Sequence, residues 1–121
     1  MGRNFYLTKY FGMSDSISKQ FGLELSPRIH IGKRSAGWQF IFNGIVIKSR
    51  DEWEHIISEA TVLGWEIRDQ YGIIFHRDKF WVEIVDVTKG KQTCMPEGFS
   101  GSEPNYIIDK KGWELNRREF S

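Results

Sequence analysis

The stretch of residues 28–42 constrains the fold more than any other part of this sequence, because apolar and polar side chains alternate on both sides of a short glycine-bounded segment. Successive side chains of an extended chain point to opposite faces, so such alternation is typical of strands that bury one face. The alternating apolar residues are Ile29, Ile31, Trp38, Phe40 and Phe42. The stretch therefore predicts a β-hairpin.

The segment between the two runs is basic, with Lys33 and Arg34 adjacent to each other and glycine at positions 32 and 37. It differs from a P-loop, which needs an earlier glycine and a Ser or Thr directly after the lysine. Adjacent cations at a turn can project to the same side, where exposed backbone N–H groups would help them to bind an anion. A solvated turn without a ligand is the alternative interpretation.

The rest of the chain predicts further strands and two helices. Ser49 and Glu52 have the spacing of a capping box ahead of an apolar stripe, which predicts a helix over residues 50–63, and a second helix is predicted over residues 77–88. The predicted core residues on these helices are Trp53, Ile56, Ile57, Phe80, Trp81 and Ile84. Strands are predicted over residues 4–10, 45–47, 65–68, 73–75, 105–108 and 113–115, and loops over residues 11–27 and 91–103.

This order of elements predicts an α+β fold, a single small domain over residues 1–121 with an antiparallel sheet of hairpins and two helices packed on one face. A formal net charge of +1 provides no global electrostatic field that would attract nucleic acid, so nucleic acid is not expected as a partner. No apolar run reaches the roughly 18 residues of a membrane span, so a membrane is not expected either. The single cysteine, Cys94, leaves no internal disulfide and fits a reducing, cytoplasmic compartment.

Residues that could carry chemistry are scattered along the chain. The histidines, His30, His55 and His76, lack the spacing of a zinc site with each other or with Cys94. The carboxylates do not pair by spacing into an acid and a base, and no nucleophile signature surrounds Cys94. The sequence therefore predicts no catalytic residue, no metal and no cofactor, which favours a binding protein over an enzyme.

Four blocks of the sequence resemble a family of small bacteriophage accessory proteins of unassigned role. They are residues 1–7 (MGRNFYL), 30–38 (HIGKRSAGW), 66–72 (EIRDQYG) and 119–121 (EFS). The resemblance implies a phage protein that acts in the host cytoplasm. Many members carry a Cys-x-x-Cys pair before the histidine, whereas residues 11–27 of this chain contain no cysteine, so a metal-binding knuckle is not expected here.

Two classes of function follow from these observations, with an enzyme as a third class that no residue pattern supports. The chain is either an inhibitor or modulator that binds a host defence factor, or a binder that sequesters a nucleotide-type anion, with Trp38 or Tyr71 stacking on a base. The predicted binding residues are Arg28, His30, Lys33, Arg34, Ser35, Trp38 and Tyr71, with loop 91–103 as the alternative surface. A homo-oligomer is compatible with either class.

Because no metal-ligand set can be assembled from the sequence, treatment with a chelator should leave the melting temperature and the circular dichroism spectrum unchanged. Thermal unfolding with and without EDTA measures this. Elemental analysis that finds stoichiometric zinc would contradict the expectation, and would indicate ligands brought together by the fold or by a second subunit.

Overall fold

The structure is a computed structural model that describes residues 2–9, 28–93 and 106–117. The strands are β1 (Gly2–Thr8), β2 (Arg28–Ser35), β3 (Ile41–Asn43), β4 (Glu66–Asp69), β5 (Ile74–Phe75), β6 (Tyr106–Ile108) and β7 (Glu114–Asn116). Helix α1 spans Arg50–Val62. Helix α2 covers residues 77–88, first as α-helix (Arg77–Lys79), then as π-helix (Phe80–Val85) and last as 3-10 helix (Asp86–Thr88).

The seven strands form one sheet in the order β5-β4-β1-β2-β3-β7-β6. Every pairing is antiparallel except that of β3 with β7, which is parallel. The α+β class predicted from the sequence is confirmed, but the expectation of a purely antiparallel sheet is wrong. The parallel pair, with Ile41 opposite Glu114, forms because β7 reaches β3 through a long crossover rather than through a hairpin.

Strand β1 lies between β2 and β4 and buries one of its faces. Phe5 and Leu7 are fully buried on that face, where the ring of Phe5 lies 6.0 Å from that of Phe40 and 5.5 Å from that of Phe80. Tilted and edge-on contacts of this kind add to the free energy gained by burial alone. The core cluster consists of Phe5, Leu7, Ile31, Phe40, Phe42, Trp53, Ile57, Ile67, Phe80, Trp81, Ile84, Val85, Trp113 and Leu115.

Both predicted helices are present, and their apolar stripes join this core. Helix α1 begins at the predicted cap, where Ser49 Oγ accepts a hydrogen bond from Glu52 N at 3.2 Å and the Glu52 carboxylate accepts one from Lys48 N at 3.0 Å. All the predicted core residues on the helices are buried except Ile56, which is partly buried against the same cluster. Neither helix of the described chain is long and apolar enough to cross a membrane.

The hairpin predicted over residues 28–42 exists as the β2–β3 pair, but its turn lies later than expected. Strand β2 continues to Ser35, and Trp38 N donates to Ser35 O at 3.0 Å across the turn. Gly37 has a φ of +82°, which glycine adopts without strain. Gly32 lies inside β2, where a Cβ would come within 2.5 Å of the Phe40 ring, so packing rather than a turn requires this glycine.

The strand predicted over residues 45–47 is absent, because the backbone there bonds to nearby side chains. Asn43 Oδ1 accepts from Ile45 N at 3.0 Å, and Lys48 Nζ donates to Ile45 O at 3.1 Å. The hairpins formed by β4 with β5 and by β6 with β7 are present as predicted. The predicted loop over residues 11–27 and most of the loop over residues 91–103 lie outside the described residues.

Arg50 connects helix α1 to helix α2 and to the segment that enters β7. Its Cζ lies 4.8 Å from the ring centroid of Trp81 and 4.7 Å from that of Trp113. Its Nη1 donates to the carboxylate of Asp86, and its backbone N donates to Asp109 Oδ2 at 2.8 Å. Cations over indole rings contribute about 0.5–2 kcal/mol when partly desolvated, so Arg50 stabilises the packing of three separate segments.

Replacing Trp53 with Ala should lower the free energy of unfolding by about 3–5 kcal/mol, because a large buried side chain is lost from the core. Trp53 is buried, and its Nε1 also donates to Asn43 O at 2.9 Å. Urea denaturation measures the change. Val62→Ala in the same helix is the matched control, because the exposed Val62 should contribute less than about 0.5 kcal/mol. Equal stability of W53A and the wild type would show that this side of α1 lies outside the core.

Candidate functional site

Strands β2, β1 and β4 present a second set of side chains on the face opposite Phe5 and Leu7, which we call the polar face. Residues directly opposite each other on antiparallel strands share a face. The register therefore gives three rows across the strands, Lys33–Asn4, His30–Tyr6–Arg68 and Arg28–Thr8–Glu66. The polar face is thus built from side chains that are far apart in the sequence and fixed by backbone pairing.

Tyr6 occupies the middle of this face. Its ring stacks on the imidazole of His30, with centroids 4.9 Å apart and planes inclined by 26°. The Cζ atom of Arg28 lies 3.6 Å from the centroid of the same ring. Cation–π and stacking contacts hold these three side chains in one arrangement. Arg28 is exposed, whereas Tyr6 and His30 are half-buried, so solvent reaches this group mainly at Arg28.

Next to Tyr6, His30 and Arg28, the side chain of Asn4 connects β1 to β2 and to the residue that follows β4. Its Oδ1 lies 3.0 Å from His30 Nε2, and because a carboxamide oxygen only accepts, His30 donates from that nitrogen. Asn4 Nδ2 and Asn4 N both donate to Gln70 Oε1, at 3.0 and 2.9 Å, and Gln70 N donates to Asn4 O at 3.0 Å. A buried side chain with this many partners fixes the orientation of the imidazole.

The rows of the polar face carry more positive than negative charge. Arg28, Lys33 and Arg68 are cationic, and the carboxylate of Glu66 accepts from Arg68 Nη2 at 3.0 Å. Three cations against one carboxylate leave these rows with an excess of positive charge, and aligned cations attract anions by summing their potentials. The face is therefore suited to an anionic group on a ligand or on a protein surface.

Asp69 anchors the opposite face. Its side chain is fully buried, with Oδ2 accepting from Arg3 Nε at 2.9 Å and Nη2 at 2.7 Å, and Oδ1 accepting from the N–H groups of Tyr71 and Ile73 at 2.9 Å each. Burial disfavours the charged carboxylate, but the hydrogen bonds from Arg3, Ile73 and Tyr71 outweigh it and hold the pKa of Asp69 below its ordinary value. The pair fixes the start of β1, and hence Tyr6, against the end of β4.

The structure brings only some of the predicted binding residues together. Arg28, His30 and Lys33 lie on the polar face, because an irregularity in the pairing of β1 with β2, between Phe5 and Tyr6, shifts the alternation of β2 by one residue between His30 and Lys33. Arg34 is the next residue of the same strand, so its side chain points the other way, where Nη1 lies 3.4 Å from Glu83 O. The expectation that Lys33 and Arg34 project to one side was wrong, because both belong to β2 and alternation separates adjacent strand residues.

The remaining predicted residues lie at turns. Ser35 ends β2, and the half-buried Trp38 forms an isolated parallel bridge with Gln92. Tyr71 is 71% exposed in the turn between β4 and β5, where its N–H is taken by Asp69. Ser35 and Tyr71 belong to the end of the sheet at which β1 begins, since Gly2 pairs with Ser35. The aromatic ring of the polar face is Tyr6 rather than Trp38 or Tyr71.

Sequence reasoning missed Tyr6, Asn4 and Arg68 as members of the site. The alternation of residues 4–8 places Asn4 and Tyr6 on one face of a strand, which is a signal that could have been used. The missing information was the strand pairing. Nothing in residues 2–8 or 66–69 indicates that β1 pairs with β2 on one side and with β4 on the other.

Comparisons of the chain with models of known protein families, with curated proteins and with solved structures found no match. Among the described residues, no three histidine, cysteine or carboxylate side chains lie close enough together to hold a metal ion. The polar face offers positive charge, hydrogen-bond donors and one aromatic group, which are the properties of a binding surface.

Asp69→Asn should lower the free energy of unfolding by about 1.5–3 kcal/mol at neutral pH, because hydrogen bonds to a charged acceptor are replaced by weaker ones. The folded pKa lies below the ordinary value of 3.8, so the contribution of the carboxylate is complete above that pH and is lost as the pH falls through the lower folded value. The difference between wild type and variant should therefore shrink below pH 3.8. Urea denaturation across a pH series measures it, and a difference independent of pH would contradict the assignment.

Proposed function

We propose that this chain is a phage-encoded binding protein without catalytic activity, which modulates a host defence factor by binding an anionic surface of that factor. The contact would be made by the polar face. Both helices would pack on the opposite face of the sheet, so that a partner can approach the strands directly. The site of action would be the host cytoplasm.

The observation that carries this proposal is the charge of the three rows. Arg28, Lys33 and Arg68 are attached to strands, so their separations are set by the backbone ladder rather than by a flexible loop. Charges that are fixed in this way accelerate association with a surface of opposite charge and discriminate against surfaces of the same charge. Tyr6 adds an aromatic group of the kind that is enriched in protein interfaces.

A nucleotide-type ligand is the second candidate, and the packing around Tyr6 is the observation that favours it. Arg28 and His30 both lie against this ring, so a planar cation and an imidazole are already oriented for stacking. Bases stack on such groups without strict sequence preference, and Lys33 in the next row could bind a phosphate. In this case the chain would sequester a signal rather than block a protein.

Affinity capture from phage-infected cells distinguishes the two candidates. Mass spectrometry of the purified complex should identify a stoichiometric host protein if the first candidate holds, and extraction of the same sample should release a nucleotide if the second holds. Either partner should dissociate more readily as salt rises, because partly exposed charge pairs are screened. A complex that is insensitive to salt would exclude the polar face as its main contact.

Lys33→Glu and Arg34→Glu form a matched pair of variants, because they make the same charge change at adjacent residues on opposite faces of β2. Lys33→Glu should lower affinity for the captured partner at least tenfold, since one cation of the polar face becomes an anion. Arg34→Glu should retain wild-type affinity. Isothermal titration calorimetry with the purified partner measures the affinity of each variant.

Circular dichroism of the two variants should match the wild type, because substitutions of half-exposed charges rarely change stability by more than about 0.5 kcal/mol. Arg28→Glu, at the exposed end of the same face, provides a second variant that should weaken binding in the same way. Equal loss of affinity in Arg34→Glu and Lys33→Glu would remove the polar face from the binding site.

A further inference from the structure

Arg28 differs from Arg68 on the same face in what its guanidinium contacts. Arg68 Nη2 donates to the carboxylate of Glu66 at 3.0 Å, and Arg68 Nη1 donates to Gly72 O at 3.4 Å. Arg28 instead lies over the Tyr6 ring, and no hydrogen bond or ion pair joins it to another residue in the described part of the chain. Because Arg28 is also exposed, all of its N–H donors can bind a partner.

The contact with Tyr6 fixes the plane of this guanidinium. Its Cζ atom lies 3.6 Å from the ring centroid. A perpendicular guanidinium at that height would bring a nitrogen within about 3 Å of the ring plane, which is closer than van der Waals contact, so the two planes are nearly parallel. The ring is held in turn by the imidazole of His30, whose Nε2 is bound to Asn4 Oδ1 at 3.0 Å. A guanidinium oriented in this way loses less conformational entropy when it binds.

Arg28 and Lys33 lie over different residues of β1. The side chain of Lys33 covers Gly2, where an added Cβ would come within 1.8 Å of Lys33 Cε. Gly2 and Tyr6 are four residues apart on the same strand, so the two cations are separated by more than about 10 Å. A single phosphate group could therefore contact one of these cations but not both. Separate anionic groups along an extended segment could contact each of them.

We infer that the polar face binds an acidic peptide segment of its partner, with one carboxylate held by Arg28 through paired hydrogen bonds and a second carboxylate at Lys33. A carboxylate offers two oxygens in one plane, which match the planar edge of a guanidinium. Acidic residues four positions apart in an extended segment span about 13 Å, which suits the separation of the two cations. The inference rests on the proposed function and narrows the host factor to one that exposes such a segment.

Calorimetric titration with poly-L-glutamate at low ionic strength tests the role of Arg28. Arg28→Lys keeps the charge but removes the planar fork, so it should lower the affinity at least about threefold. Arg34→Lys is the matched control, because it makes the same change on the other face of β2, and it should retain the wild-type affinity. A wild-type chain that does not bind poly-L-glutamate, or equal affinities of Arg28→Lys and the wild type, would overturn the inference.

Variants of Tyr6 test whether this ring positions Arg28. Tyr6→Phe keeps the ring and should bind like the wild type, whereas Tyr6→Leu should lose about as much affinity as Arg28→Lys. The variant that combines Tyr6→Leu with Arg28→Lys should bind no more weakly than either single variant, because both changes remove the same pair of hydrogen bonds. Additive losses would show that the two residues act independently and would contradict the positioning role. If circular dichroism shows that Tyr6→Leu is unfolded, Tyr6→Phe and Arg28→Lys still decide the inference.

Competition with ATP tests whether a nucleotide is the better ligand. At equal concentrations of negative charge, ATP should not displace poly-L-glutamate, since its phosphates are too close together to reach both cations. Displacement by ATP would overturn the assignment of an acidic peptide.

The variant Lys33→Glu separates this inference from the proposed function. Weakened binding of poly-L-glutamate by Lys33→Glu but not by Arg28→Lys would leave the proposed function intact and overturn the inference, because charge alone would then account for binding. Binding that depends on Arg28, together with a failure to capture any host protein, would support the acidic ligand and contradict the proposed function.

Discussion

The two-residue repeat of strand β1 is the constraint on which the rest of the described structure depends. Phe5 and Leu7 must enter the core, and this places Tyr6 on the opposite side, between the partners that β2 and β4 provide. A shift of the register by one residue would bury Tyr6 and expose the core side chains. Arg3, on the core side, prevents such a shift because its guanidinium is bound by the buried carboxylate of Asp69.

The stability of the core and the proposed binding site are thus properties of the same strands. Side chains that bind from a sheet lose little conformational entropy on association, because their backbone is already ordered. Arg50 has a comparable role on the side of the helices, where two indole rings and a carboxylate surround one cation. Both arrangements use an arginine to connect segments that are distant in the sequence, so the hydrophobic core is supported by specific polar contacts at its margin.

The sequence predicts local structure well where a short-range pattern decides it. The helix after Ser49 belongs to this class, since a capping residue carries its own signal. The turn of the hairpin does not, because it was expected at Lys33 and Arg34, and both residues belong to β2. The parallel pairing of β3 with β7 could not be predicted, because it depends on which distant strand reaches the free side of β3. For the same reason Lys33 could be named from the sequence as a candidate, whereas Tyr6 and Arg68 could not, because their place on the polar face depends on strand pairing.

Strand β3 is an interior strand of the finished sheet, but it begins as an edge when the protein is synthesised. Its neighbour β7 follows two helices and three other strands in the sequence, so residues 41–43 cannot complete their pairing until residues 114–116 have left the ribosome. Pairings between distant segments also form slowly, because a long loop must close first. Until then one side of β3 has unpaired backbone groups, and a strand edge of this kind is prone to pair with other chains.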